Sequence, residues 1–369
     1  MNDFTSKVID TLRFPMAALV IMCHAQFLTG FEGHTLPDWE EWHVLLGTQL
    51  FFSEVLPHVA VPLFMLFSGF LLFSKHKIDA LNYAKILKKR VRTLLIPYLI
   101  WSTACFFVAV SQNMVSCTFL HWLQGLWDTC LWQPEATFSI GMPGYPMSMP
   151  LWFLRDLMVL VVLSYPIGKM LEWSKGWVLL LMAVWWFPGH EKFFGFGADC
   201  LFYFSLGAWM GLKRIDFVSL VRKVRVPGYL LALLMTGVEF YLTYTSYVQT
   251  HTLEFVWIPF NLFVLCLMVA TLNIGASIVE KEKHTLLITL ASCSFFLFAA
   301  HIVFMQPIME GLYSLFAPNT QWANLAFYIG FHIFYISLLT ALYFALARVL
   351  PRTMALLTGG RTNSHRVTC

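Results

Sequence analysis

Charge is what this chain has least of. Its 24 Lys and Arg and 20 Asp and Glu residues make up 12% of 369 positions, against about a quarter in an ordinary soluble domain. That scarcity excludes the broad basic face that nucleic-acid binding needs. Paired cysteines are missing as well: the eight cysteines form no C-x-x-C and share no ligand-like spacing with histidine, so no metal site is expected. Five of them (Cys23, Cys105, Cys200, Cys266 and Cys293) fall in apolar runs, where a thiol behaves as a small apolar side chain. Cys117 and Cys130 share one loop and are a candidate disulfide in an oxidising compartment. Glycine-rich phosphate loops, nucleotide-hydrolysis motifs and internal repeats are likewise lacking.

Apolar sequence fills the space that charge leaves. Hydrophobic residues are 59% and aromatic residues 17% of the chain, and the mean hydropathy is +0.69. Repeated apolar runs of about 20 residues predict an all-α fold, a polytopic bundle of membrane helices. Ten spans fit, at 8–30, 50–74, 94–116, 151–168, 176–190, 195–212, 227–248, 255–275, 286–309 and 323–349. The first run continues to Thr29 with no small-residue cleavage site after it, so it reads as a retained helix rather than a signal peptide. Placing the N-terminus in the cytoplasm puts all the Lys and Arg residues except Arg155 and Lys192 on the inside. The orientation expected is therefore N-in and C-in, in one integral-membrane domain over 1–369 with a short cytoplasmic tail at 350–369.

The stretch LRFPMAALVIMCH, Leu12 to His24, carries an arginine and a histidine eleven residues apart. Eleven residues of α-helix make almost three full turns, so Arg13 and His24 share a face, roughly 16 Å apart along the axis. That is about half a bilayer core, which joins a cation at the cytoplasmic surface to an imidazole near mid-membrane. An ionisable group at that depth is costly enough to suggest function, although a histidine there can also serve only to bond a neighbouring helix. The second span contains VPLFMLFSGFLL, with Ser68 and Gly69 small enough to admit a neighbouring backbone. Glu54 and His58, four apart near its outer end, are expected on one face, with Glu54 deep enough to orient His24. Further on come KKRVRTLLIPY, PLWFLRDLMVL and CSFFLFAAHIVFMQP.

Arg-x10-His in a first span, followed by these segments in this order, resembles membrane acyltransferase family 3, whose members O-acylate sugars and other acceptors. The resemblance implies a bacterial inner-membrane enzyme that moves an acyl group, most simply acetyl, from cytoplasmic acyl-CoA to a hydroxyl of a cell-envelope carbohydrate or glycolipid. It binds no cofactor, since acyl-CoA is a substrate, and its partners are that donor, the glycan acceptor and the lipid bilayer, with no nucleic acid and the oligomeric state open. In that reading His24 either acts as the catalytic base or is itself acylated and passes the group on, with Glu54 as its carboxylate partner. Arg13, Arg90 and Arg92 hold the donor phosphates. Trp152 and Arg155 sit on the acceptor side, His301 is the second candidate histidine, and Ser68 is a candidate near the reacting atoms. Topology and helix packing account for several of these residues equally well. A proton-coupled transporter or polysaccharide export protein is the alternative class, although no repeated halves are visible.

Overall fold

The computed structural model describes residues 3–25, 42–75, 80–113, 115–128, 144–189, 192–193, 196–250, 253 and 255–360. Nearly all of them are helical. In chain order the helices are α1 (Asp3–His24), α2 (His43–Lys75), α3 (Asn82–Ser111), α4 (Phe119–Gly125), α5 (Trp152–Val162), α6 (Ser164–Trp173), α7 (Val178–Trp186), α8 (Ala198–Leu212), α9 (Phe217–Lys223), α10 (Arg225–Thr250), α11 (Trp257–Glu280), α12 (Thr285–Leu290), α13 (Ser294–Phe316), α14 (Gln321–Val349) and α15 (Pro351–Leu357). Among the described residues the strands are β1 (Lys192–Phe193) and β2 (Phe196–Gly197), which pair antiparallel between α7 and α8.

Among the described residues, six helices are long and apolar enough to cross a membrane: α2, α3, α10, α11, α13 and α14. The pair running from Met149 to Val162 and from Ser164 to Trp173 bends by 61° and counts as a seventh span if taken as one. These correspond to seven of the ten expected runs. The other three are helical but fall short for physical reasons. α1 carries Asp3, Lys7, Asp10 and Arg13 in its first half, while α7 has nine residues and α8 fifteen, or about 14 and 22 Å of helix. The run expected at 286–309 is broken, since α12 ends at Leu290 and α13 starts at Ser294 and continues to Phe316. The third run starts earlier than expected, because the basic stretch before it is already helix in α3.

Two of the long helices are locally widened. In α2, Leu50–Val55 forms a π-helical turn, followed by a tight 3-10 turn at Leu56–Val59. In α3, Val91–Leu95 forms another. Each wide turn ends two residues before a proline, Pro57 or Pro97. Proline has no N–H to continue the ladder and its ring crowds the carbonyl four residues back, so the turn before it opens.

The chain divides into two compact units, each built from two separate stretches: residues 3–60 with 218–345, and Val61–Phe217 with the segment from Leu346 onward. In the first, α1 packs on α11, α12, α13 and the wide turn of α2, and α10 lies along α11. Leu12 meets Gly275 of α11, where any added Cβ would press on its side chain.

In the second unit the inner part of α2 crosses α8 backbone to backbone. A Cβ at Gly69 would collide with the Phe204 carbonyl, and one at Gly207 with the Leu66 carbonyl. The glycine of each helix thus seats the backbone of the other, which is the small-residue packing expected of Ser68 and Gly69; on α8 the small-xxx-small run Gly207 to Gly211 supplies its counterpart. The segment expected as a tail is partly folded onto this unit. α15 lies against α3, the Trp101 indole N–H donates to the Leu357 carbonyl at 3.0 Å, and Thr358 is fully buried. Gly359, at φ +63°, approaches the Thr93 carbonyl so closely that a side chain would not fit.

Candidate active site

Within the first unit, α1 is helical from end to end, so the eleven-residue spacing of Arg13 and His24 holds as a shared face. Arg13 is 42% exposed and its NH1 pairs with Asp10 Oδ1 at 2.9 Å, one turn back on the same helix. His24 is the last residue of α1 and is partly buried. Its ring meets that of His301, with centroids 5.3 Å apart and planes tilted by 31°. The two histidines that the sequence offers as first and second candidates are therefore neighbours.

His301 is fully buried on α13. Its Nδ1 lies 2.9 Å from the Phe298 carbonyl and 3.2 Å from that of Leu297, both on its own helix. From α14, the Tyr335 hydroxyl donates to the backbone carbonyl of His301 at 2.6 Å. Ring and backbone are thus both fixed.

The wide turn of α2 adds polar groups to the same unit. Ser53 Oγ and Tyr328 OH are 2.7 Å apart. Glu54 is 5% exposed, and its carboxylate lies within electrostatic reach of Cys23 and Tyr328. His332 follows one turn along α14, its Nδ1 donating to the Tyr328 carbonyl at 2.7 Å with its ring edge-on to the Tyr328 ring at 4.4 Å. Ser53, Tyr328, His332 and Tyr335 were not singled out from sequence. Tyr328, His332 and Tyr335 fall at i, i+4 and i+7, a polar stripe in an apolar helix that the helical period would have exposed.

Between Glu54 and His58 the helix passes from a wide turn to a tight one, and His58 packs edge-on against Phe255 and Phe260 at 5.4 and 4.9 Å.

The remaining candidates belong to the second unit. Arg92 is exposed on the wide turn of α3 and Arg90, just before it, is partly buried. Ser68 lies beside the Gly69 crossing and is partly buried. Arg155, 2% exposed, pairs with its neighbour Asp156 through NH2 at 2.8 Å and Nε at 2.9 Å. Its NH1 donates to the carbonyls of Trp127 at 2.5 Å and Gly144 at 3.1 Å. Arg155 therefore joins Trp127 to Gly144, a structural task that gives the buried guanidinium the partners it requires. Asp156 Oδ2 accepts from the Gly197 N–H at 3.3 Å. Trp152 is partly buried and meets Tyr145 edge-on at 6.1 Å. Burial, and then the Asp199 carboxylate, push the Tyr145 hydroxyl above its ordinary pKa, which keeps it protonated at neutral pH. Cys117 carries an exposed free thiol, and Cys130 lies outside the described residues, as does the acidic loop with Glu32, Asp38, Glu40 and Glu41. No cluster of three or more potential metal ligands occurs among the described residues.

Comparison with known proteins completes the assignment. The profile of a family described as an acyltransferase domain, acyltransferase family 3, matches residues 7–353. A curated relative, the succinoglycan biosynthesis protein ExoH of Rhizobium meliloti (strain 1021), is 24% identical over 367 residues, covering 95% of this chain and 94% of its own. No solved structure matches significantly. A match over nearly the whole chain sets aside the transporter reading: this protein belongs to acyltransferase family 3 and is an acyltransferase.

Proposed function

We propose that this chain takes an acyl group, acetyl in the simplest case, from acyl-CoA at the cytoplasmic face of a bacterial inner membrane. It places that group on a hydroxyl of a cell-envelope carbohydrate or lipid-linked glycan. The observation that carries the reading is the seat of His24, at the end of the arginine-bearing face of α1, partly buried and in ring contact with His301. Family membership supports acyl transfer, and the name of the ExoH relative, a succinoglycan biosynthesis protein, supports a glycan acceptor. The concentration of Lys and Arg on one side of the predicted spans supports a cytoplasmic donor.

In this reading the guanidinium groups of Arg13, Arg90 and Arg92 hold the phosphates of the donor by charge-assisted hydrogen bonds. His24 removes the proton of the acceptor hydroxyl as its oxygen attacks the thioester carbonyl. The C–O bond forms, the C–S bond breaks, and His24 returns the proton to the departing thiolate. Glu54 supplies compensating charge nearby, and the Trp152–Tyr145 aromatic pair is assigned to the acceptor side.

The test is transfer of label from acetyl-CoA to envelope glycans in membranes holding either the native chain or His24→Ala at equal abundance. Loss of about 10²-fold or more in the variant is expected. Equal labelling in the two, above membranes without the protein, removes His24 from the chemistry.

A further inference from the structure

The hydrogen bonds of His301 determine which of its nitrogens serves the site. Its Nδ1 points at the carbonyls of Phe298 and Leu297, and a carbonyl oxygen can only accept, so Nδ1 carries the proton. In the neutral ring Nε2 then bears the lone pair. That Nε2 is buried and has no hydrogen-bond partner among the described residues, an arrangement that is costly unless the atom is used. Beside His301, the ring of His24 is nearer than that of Phe298, at 5.3 Å between centroids against 6.5 Å.

We propose that His301 is the positioning residue for His24, accepting through Nε2 the N–H of the His24 ring. The inference rests on the reading of His24 as the base. Two imidazoles joined by one N–H···N bond have centres about 5 Å apart, and these lie 5.3 Å apart. In the structure the rings touch without hydrogen bonding, so a turn of the partly buried His24 closes the bond, while His301 is held by its helix carbonyls and by Tyr335.

The bond fixes the His24 tautomer, leaves its other nitrogen unprotonated for the acceptor hydroxyl, and stabilises the imidazolium formed during attack. His301 neither gains nor loses a proton over the cycle. A neutral acceptor orients the base here by the same hydrogen-bond logic that a carboxylate uses in a catalytic triad. Among the described residues, the titratable groups on elements packed against α1 and α13 include Cys23 on α1, Glu54 and His58 on α2, and Tyr328, His332 and Tyr335 on α14.

The experiment uses the full chain reconstituted in lipid nanodiscs, with thiol release from acetyl-CoA in the presence of envelope glycan as the readout. Native protein, His24→Ala, His301→Leu and His301→Gln are compared for kcat, KM and pH dependence. For His301→Leu, a fall of about 10²- to 10³-fold in kcat is expected at unchanged KM for acetyl-CoA. The acid limb of its profile is expected to move to lower pH, because His24 loses the acceptor that stabilises its protonated form. His301→Gln, whose side-chain oxygen still accepts an N–H, recovers part of the rate.

A His301→Leu protein with native kcat and native profile overturns the inference while leaving His24 in place. If His301→Leu is not recovered folded, His301→Gln decides: a native melting temperature with kcat at the His24→Ala level overturns it, and partial activity with the native profile supports it. Native turnover in His24→Ala overturns the underlying reading instead.

Discussion

Arg13 and Arg92 each present a partly or fully exposed guanidinium to what the proposed topology makes the cytoplasmic side. A charge-assisted hydrogen bond to phosphate contributes about 1.5–3 kcal/mol, so Arg13→Gln is expected to raise the KM for acyl-CoA about tenfold or more. The KM for the acceptor stays put. Arg92→Lys keeps the charge but loses the planar fork, and a loss of donor affinity of similar size is expected. Initial-rate kinetics at varied donor and fixed acceptor check both, and a native donor KM in each reduces these residues to topology. At this scale the sequence was legible where chemistry repeats locally. Arg13 and His24 lie on one helix, so their spacing alone placed them on one face. Arg155 had to find a partner, and Asp156 next door and two carbonyls supply it. The pairing of His24 with His301 was not legible, because α1 and α13 are far apart in sequence and meet only through packing.

Among the elements, the crossing of α2 and α8 depends most sharply on residue size. Gly207 faces the Leu66 carbonyl and Gly69 the Phe204 carbonyl, both backbone atoms that cannot swing aside. Overpacking of this kind costs about 1–3 kcal/mol, and the reciprocal fit puts Gly207→Leu at the upper end or beyond. Thermal unfolding in detergent is the measurement; a melting temperature unchanged from the native protein would show that the helices part without cost. This packing could be read from sequence, since small-xxx-small spacing has one main structural use. The wide turns before Pro57 and Pro97 could not, because one extra residue in a turn leaves no mark on a continuous apolar run. The bend at Leu163 and the break between α12 and α13 were hidden for the same reason. Apolar composition reports burial in lipid or protein and says little about where a helix interrupts itself.

For the whole molecule, the class was written in composition: long apolar runs give described residues that are almost all helical, with several helices long and apolar enough to cross a membrane. The count of spans is harder to read, because α1, α7 and α8 are too charged or too short to qualify alone. Least legible was the interleaving of the two units, in which the segment from Leu346 returns to the unit begun at Val61. Its seat depends on Gly359, whose left-handed backbone and contact with the Thr93 carbonyl leave no room for a side chain. Gly359→Val is expected to release the end of α15, lowering stability by about 1–3 kcal/mol. Limited proteolysis should then cut within 350–360 faster than in the native protein, and equal cutting would mean that the segment holds by other contacts.

The pairing of His24 with His301 also has a consequence for how the chain is made. His24 leaves the ribosome early and its partner follows most of the chain later. At about 5–20 residues per second that interval is on the order of tens of seconds. Throughout it, the ionisable side chain at the end of α1 has no companion ring to rest against, so in the proposed membrane topology the first helix has reason to stay beside the insertion machinery until the α13 segment arrives.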